Sequence, residues 1–113
     1  MNTAIIDIEG SEYELIPDRS EDSLAVYLDI NVHRDGKTVA LLKLRCAVYE
    51  PEYEKIASTS VEVLLEMAMR REGIADNVRG ALHWQSELQR INPEWGVSPV
   101  YSSWFPKNYE QYR

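Results

Sequence analysis

The 113-residue chain predicts a single α+β domain: an antiparallel sheet built from two β-hairpins, two α-helices packed on one face, and an aromatic C-terminal tail. Three observations predict this. Apolar and polar residues alternate through most of the first 49 residues, the period of a half-buried strand. From residue 59 the apolar spacing changes to three and four, the period of a helix. Six of the eleven aromatics fall in the last twenty residues (Trp95, Tyr101, Trp104, Phe105, Tyr109 and Tyr112), too aromatic a segment to stay unfolded. There is no internal repeat, low-complexity run or Pro/Ser/Gly linker, so residues 1–113 read as one domain.

The first hairpin spans residues 4–8 and 12–16. Gly10-Ser11 suits a type II′ turn, because glycine tolerates the positive φ at the first central position. Glu9 then opposes Glu12, Asp7 opposes Glu14, and Ile6, Ile8, Tyr13 and Leu15 share the inward face. The second hairpin spans 24–33 and 37–49. Leu24, Val26, Leu28, Ile30 and Val32 form one row, and Ala40, Leu42, Leu44, Cys46 and Val48 the other. A two-residue Asp35-Gly36 turn would place the rows on opposite faces. A three-residue Arg34-Asp35-Gly36 loop with a G1 bulge pairs Leu28 with Leu42 and Val26 with Leu44, so it is the expected arrangement. Cys46 then points inward as a small hydrophobe.

The first helix begins at a capping box, Thr59-Ser60-Val61-Glu62, with Thr59 at the N-cap and Glu62 at N3. Val61, Leu64, Leu65 and Ala68 form its stripe, Arg70 and Arg71 suit the negative end of its dipole, and Gly73 ends it. The second helix starts after Asp76 and stops at Asn92-Pro93, with Val78, Ala81, Leu82, Trp84, Leu88 and Ile91 facing the sheet. The tail is expected to lie across the core. It adds a strand near 97–101, and Trp95, Tyr101, Trp104 and Phe105 cap the interior.

Composition excludes several function classes. Twelve Lys+Arg against nineteen Asp+Glu give a net charge of −7, the wrong sign for a phosphate-backbone binder. One cysteine and two histidines leave little for a disulfide or a zinc site, and no cofactor or metal is expected. The longest aliphatic run is Val39-Ala40-Leu41-Leu42, far short of a membrane span. The N-terminus carries Asp7 and Glu9 and no basic n-region, unlike a signal peptide. A reduced, cytoplasmic location is therefore the default. No Gly-rich phosphate loop, His-Glu-x-x-His or Gly-x-Ser-x-Gly pattern is present, and neither His33 nor His83 has a nucleophile beside it. The chain reads as a non-enzyme.

The charge is concentrated at one end. Residues 1–22 hold seven acids against Arg19 alone, a net −6. Two candidate partner-binding surfaces follow. The first is Asp7, Glu9, Glu12 and Glu14, four carboxylates on the outer face of the first hairpin in mutually repelling pairs. Its bland explanation is a solvated face, or neutralisation by Lys43 and Arg45 from the second hairpin. The second is Glu50, Glu52, Tyr53 and Glu54, three carboxylates and an aromatic on a connecting segment. The expected function is a small acidic binding protein that neutralises a basic, nucleic-acid-handling partner protein such as a nuclease or toxin. That surface chemistry is shared by immunity proteins and antitoxins. The alternative is an assembly module acting as a homodimer through its edge strands or tail. A small enzyme with a histidine-lined pocket ranks third.

Overall fold

The computed structural model describes residues 3–105. Strands β1 (Ala4–Ile8), β2 (Ser11–Glu21), β3 (Ala25–Arg34) and β4 (Lys37–Ala47) are followed by helices α1 (Tyr53–Ser58), α2 (Val61–Met69) and α3 (Ile74–Ile91), and then by β5 (Pro99–Ser103). The sheet order is β1-β2-β3-β4-β5. Strands β1 to β4 pair antiparallel with one another in sequence order. Strand β5 lies parallel to β4, because the three helices carry the chain back along the sheet before it re-enters. The α+β expectation holds, with a mixed sheet and one more helix than the sequence pattern shows. No helix among the described residues is long and apolar enough to cross a membrane.

Both hairpins use a different turn from the one expected. In the first, Glu9 and Gly10 are the central residues, with φ of 53° and 85°. Positive φ at both positions is the type I′ requirement, which matches strand twist. The Asp7 carboxylate fixes this turn by accepting the Gly10 N–H at 3.0 Å. The register moves accordingly: Asp7 opposes Glu12, Ile6 opposes Tyr13 and Ile5 opposes Glu14. The move preserves which residues face inward, so the apolar row stands while the Asp7–Glu14 and Glu9–Glu12 pairs do not form.

In the second hairpin the turn is Asp35-Gly36, with φ of 53° and 75°, and Arg34 opposes Lys37. The apolar rows still meet, because the register shifts between Val32 and His33. His33 opposes Thr38 and Val32 opposes Ala40, leaving Val39 as an extra residue in β4. A bulge thus does the work assigned to a longer loop. Leu28 meets Leu44 and Val26 meets Cys46, each two positions along β4 from the expected partner. Cys46 is buried. Burial, reinforced by Glu50 and Glu52, pushes its thiol pKa up to about 11, so it stays protonated and unreactive.

One face of the sheet carries the core. Leu15, Leu28, Ile30, Leu42 and Leu44 meet Ile56 of α1, Leu64, Leu65 and Ala68 of α2, and Val78 and Ala81 of α3. Helix α1 was read as a connecting segment because it is only six residues long. Arg19 completes it, donating to the carbonyls of Ala57 (2.9 Å) and Thr59. Helix α2 is capped by Ser60, whose hydroxyl accepts the Val63 N–H, rather than by Thr59, whose hydroxyl donates to the Lys55 carbonyl of α1.

Helix α3 begins at Ile74, before Asp76, because Gly73 takes φ 84° and reverses the chain between the helices. It buries Ile74, Val78, Ala81 and Gln85, while Trp84 and Ile91 are exposed. The buried Gln85 amide donates to the Gly96 carbonyl, and its oxygen accepts the Ser98 N–H, both at 2.9 Å. That satisfies a polar side chain in the core and aims the chain at β5. Trp104 is the tail aromatic that closes the core, with Phe105 packed beside it. Trp95 and Tyr101 are exposed, since alternation along β5 turns Tyr101 to the face away from the helices. Tyr109 and Tyr112 lie outside the described residues.

Candidate functional site

The two acidic surfaces expected from sequence lie at opposite ends of the sheet. The β1–β2 and β3–β4 turns share one end, and the β2–β3 and β4–α1 connections share the other. The ten residues of β3 separate them by about 33 Å at ~3.3 Å per residue.

At the turn end, most of the carboxylates have partners in the fold. Asp7 braces the Glu9-Gly10 turn. Glu9 lies 3.5 Å from Arg79 of α3. Glu14 accepts the Thr3 hydroxyl at 3.0 Å. Glu12 remains exposed, opposite Asp7. Lys43 and Arg45 do not neutralise this group. Lys43 pairs with Asp29 at 3.4 Å and sits over the rings of Tyr27 and Tyr101. Arg45 lies near Tyr27 and Tyr49, whose hydroxyls raise its pKa. Two intervening strands, β2 and β3, separate β4 from β1, and Arg79 takes the role expected of these residues.

The other end is built differently. Leu24 and Val48, both expected in the inward rows, lie just outside their strands. They are 61% and 46% exposed, and the adjoining Tyr49 is 78% exposed. The ladder extends one step past the Ala25–Ala47 pair to join them, with the Val48 N–H donating to the Leu24 carbonyl at 2.9 Å. Two loops distant in sequence are thereby held as one surface. The Asp22 carboxylate organises the first loop. It accepts the N–H groups of Leu24 (2.8 Å) and Ala25 (2.9 Å) and the Tyr27 hydroxyl (2.9 Å). The Leu24 N–H, followed by the Tyr27 hydroxyl, holds its pKa below the ordinary carboxylate value, so the group keeps its negative charge.

Four carboxylates lie within three residues of these side chains in the chain: Glu21 at the end of β2 and Asp22 after it, and Glu50 and Glu52 on the β4–α1 connection. Of the residues expected here, Glu52 and Glu54 are exposed and Glu50 is half-buried. Tyr53 turns inward and packs against the core, leaving Tyr49 as the aromatic of this surface. Exposed apolar side chains accompanied by charged ones are features of a protein-interaction site. The sequence signal for Leu24 and Val48 was ambiguous: each keeps strand alternation, and only the strand ends tell them apart from core residues.

Both histidines line grooves near the turns. His83 is exposed on α3 beside Arg79. His33 lies between the two turns, its Nε2 2.9 Å from the Thr38 hydroxyl. Among the described residues no group of three or more His, Cys, Asp or Glu is placed to hold a metal ion. No family model matches the chain, and no curated protein or solved structure matches it significantly.

Proposed function

We propose that this chain is a non-enzymatic binding protein that docks the surface around Leu24, Val48 and Tyr49 onto a basic partner protein. The observation that supports this reading is the Val48–Leu24 backbone hydrogen bond, which brings together two segments that carry the exposed Leu24, Val48 and Tyr49 side chains and, within three residues of them in the chain, Glu21, Asp22, Glu50 and Glu52. Apolar anchors supply affinity at the centre of an interface. The carboxylates supply orientation and a faster encounter with a positive surface. Nucleases and other nucleic-acid-handling proteins carry such a surface by necessity. Covering it would block their substrate, which is how an immunity-type inhibitor acts.

The test uses the full chain immobilised against a panel of basic nucleases. The expected result is a complex whose association rate falls about tenfold between low and high salt, as screening shortens the reach of the carboxylates. A rate indifferent to salt contradicts the electrostatic part. The homodimer alternative draws on the open outer edges of β1 and β5, which end the sheet on either side. Sedimentation at micromolar concentration separates the two readings: the binding-protein reading expects a monomer, and a stable dimer favours assembly.

A further inference from the structure

A groove of about 580 Å³ runs between α3 and the two hairpin turns. It lies at the end of the sheet remote from Leu24 and Tyr49, and its argument is independent of the docking surface. The volume is in the range of small-ligand sites. Ile8, Tyr13 and Leu82 supply apolar lining, and Arg34, Arg79 and His83 bring three nitrogen bases to the same groove. That concentration of basic groups is unexpected in a chain of net charge −7.

The two arginines differ in their engagement. The Arg34 guanidinium lies 5.6 Å from the centroid of the Tyr13 ring and takes no ion pair among the described residues. Stacking on an aromatic face orients a guanidinium while leaving its N–H groups available to an oxyanion. Arg79 is paired with Asp76 on its own helix and, across the groove, with Glu9. The Glu9 contact is long and exposed, with 75% of its side chain open to solvent. An exposed pair of this kind is weak and readily exchanged. Glu9 therefore places the chain's own carboxylate where an external anion would sit.

We propose that this groove binds a small organic anion, a carboxylate or phosphate head on an apolar body. The head displaces Glu9 from Arg79 and is met by Arg34, while the body lies on Tyr13 and Leu82. Charge-assisted contacts to the arginines would hold the head, and the apolar lining distinguishes such a ligand from a simple inorganic ion.

The experiment titrates the full chain with phenyl phosphate, benzoate and inorganic phosphate, following backbone amide shifts. Saturable shifts at Tyr13, Arg34, Leu82 and His83 with phenyl phosphate or benzoate are expected, with the stronger of the two naming the head group. Inorganic phosphate alone is expected to bind more weakly. E9Q is expected to tighten binding about threefold by removing the internal competitor. R34Q is expected to weaken it about tenfold, with Arg34→Lys recovering part of the loss. Absence of saturable shifts in the unaltered chain overturns the proposal, and that result does not depend on any variant folding. Equal binding of inorganic and phenyl phosphate, or affinities unchanged in both E9Q and R34Q, overturns it as well.

Discussion

Replacing Trp104 by alanine is expected to lower the stability of the fold by about 3–5 kcal/mol, the range for emptying a large buried aromatic site. Trp104 is 6% exposed and belongs to the core cluster. Its backbone N–H donates to the Arg45 carbonyl at 2.7 Å, extending the contact between the tail and β4. One residue earlier, the Ser103 carbonyl accepts from Arg71 at 2.9 Å, tying β5 to the turn between α2 and α3. A domain of this size has a total stability of about 5–15 kcal/mol, so the variant loses a large share of it. Urea unfolding measures the effect. Trp95→Ala is the matched control: that ring is 45% exposed, and its loss should cost about 1 kcal/mol or less.

The second large effect is on binding. Tyr49→Ala is expected to weaken the complex with the basic partner about 30-fold, or about 2 kcal/mol, the level of an interface hot spot. The same substitution should change stability by no more than about 0.5 kcal/mol, because Tyr49 is 78% exposed. Calorimetric titration of folded variants separates these two quantities. Glu52→Lys should slow association with less effect on dissociation, since border charges act mainly on encounter.

Much of the architecture was legible in the sequence. The inward rows of β3 and β4, and that of β2 as far as Leu15, follow from alternation, while the continuation of β2 to Glu21 does not; the end of α3 at Asn92-Pro93 follows from the proline. The turns were harder, for a reason of backbone geometry. Glu9 and Asp35 both adopt φ of 53°, a conformation non-glycine residues seldom take. Reading each glycine as the second central residue, preceded by an acidic one, gives both turns. The Val39 bulge then reconciles the Asp35-Gly36 turn with the apolar rows.

Gln85 shows a different failure. Hydrophobic periodicity placed Trp84 inward because tryptophan is the more apolar of the pair. The helix instead buries Gln85, since its amide is satisfied by backbone at Gly96 and Ser98. That partner lies beyond the helix and has no periodic signal. Helix α1 was hidden for a related reason: its closing contacts come from Arg19 on β2, almost forty residues earlier in the chain.

The candidate surface was half legible. Glu50 and Glu52 could be named from the sequence, but Leu24 and Val48 carried the same pattern as core residues, and their exposure depends on where the helices stop covering the sheet. Tyr49 takes the place expected of Tyr53, because α1 starts at Tyr53 and turns that ring onto the core. The acidic hairpin tip, the most conspicuous charge feature in the sequence, is largely engaged in holding a turn and an ion pair.

The central claim is that the partner meets the end of the sheet formed by the β2–β3 and β4–α1 loops. Amide hydrogen exchange of the full chain, free and in complex with the basic partner, tests it directly. The account predicts slowed exchange on complex formation at residues 21–25 and 47–52, with the β1–β2 and β3–β4 turns unchanged. Slowing confined to those turns, with residues 21–25 and 47–52 exchanging as in the free chain, would contradict it.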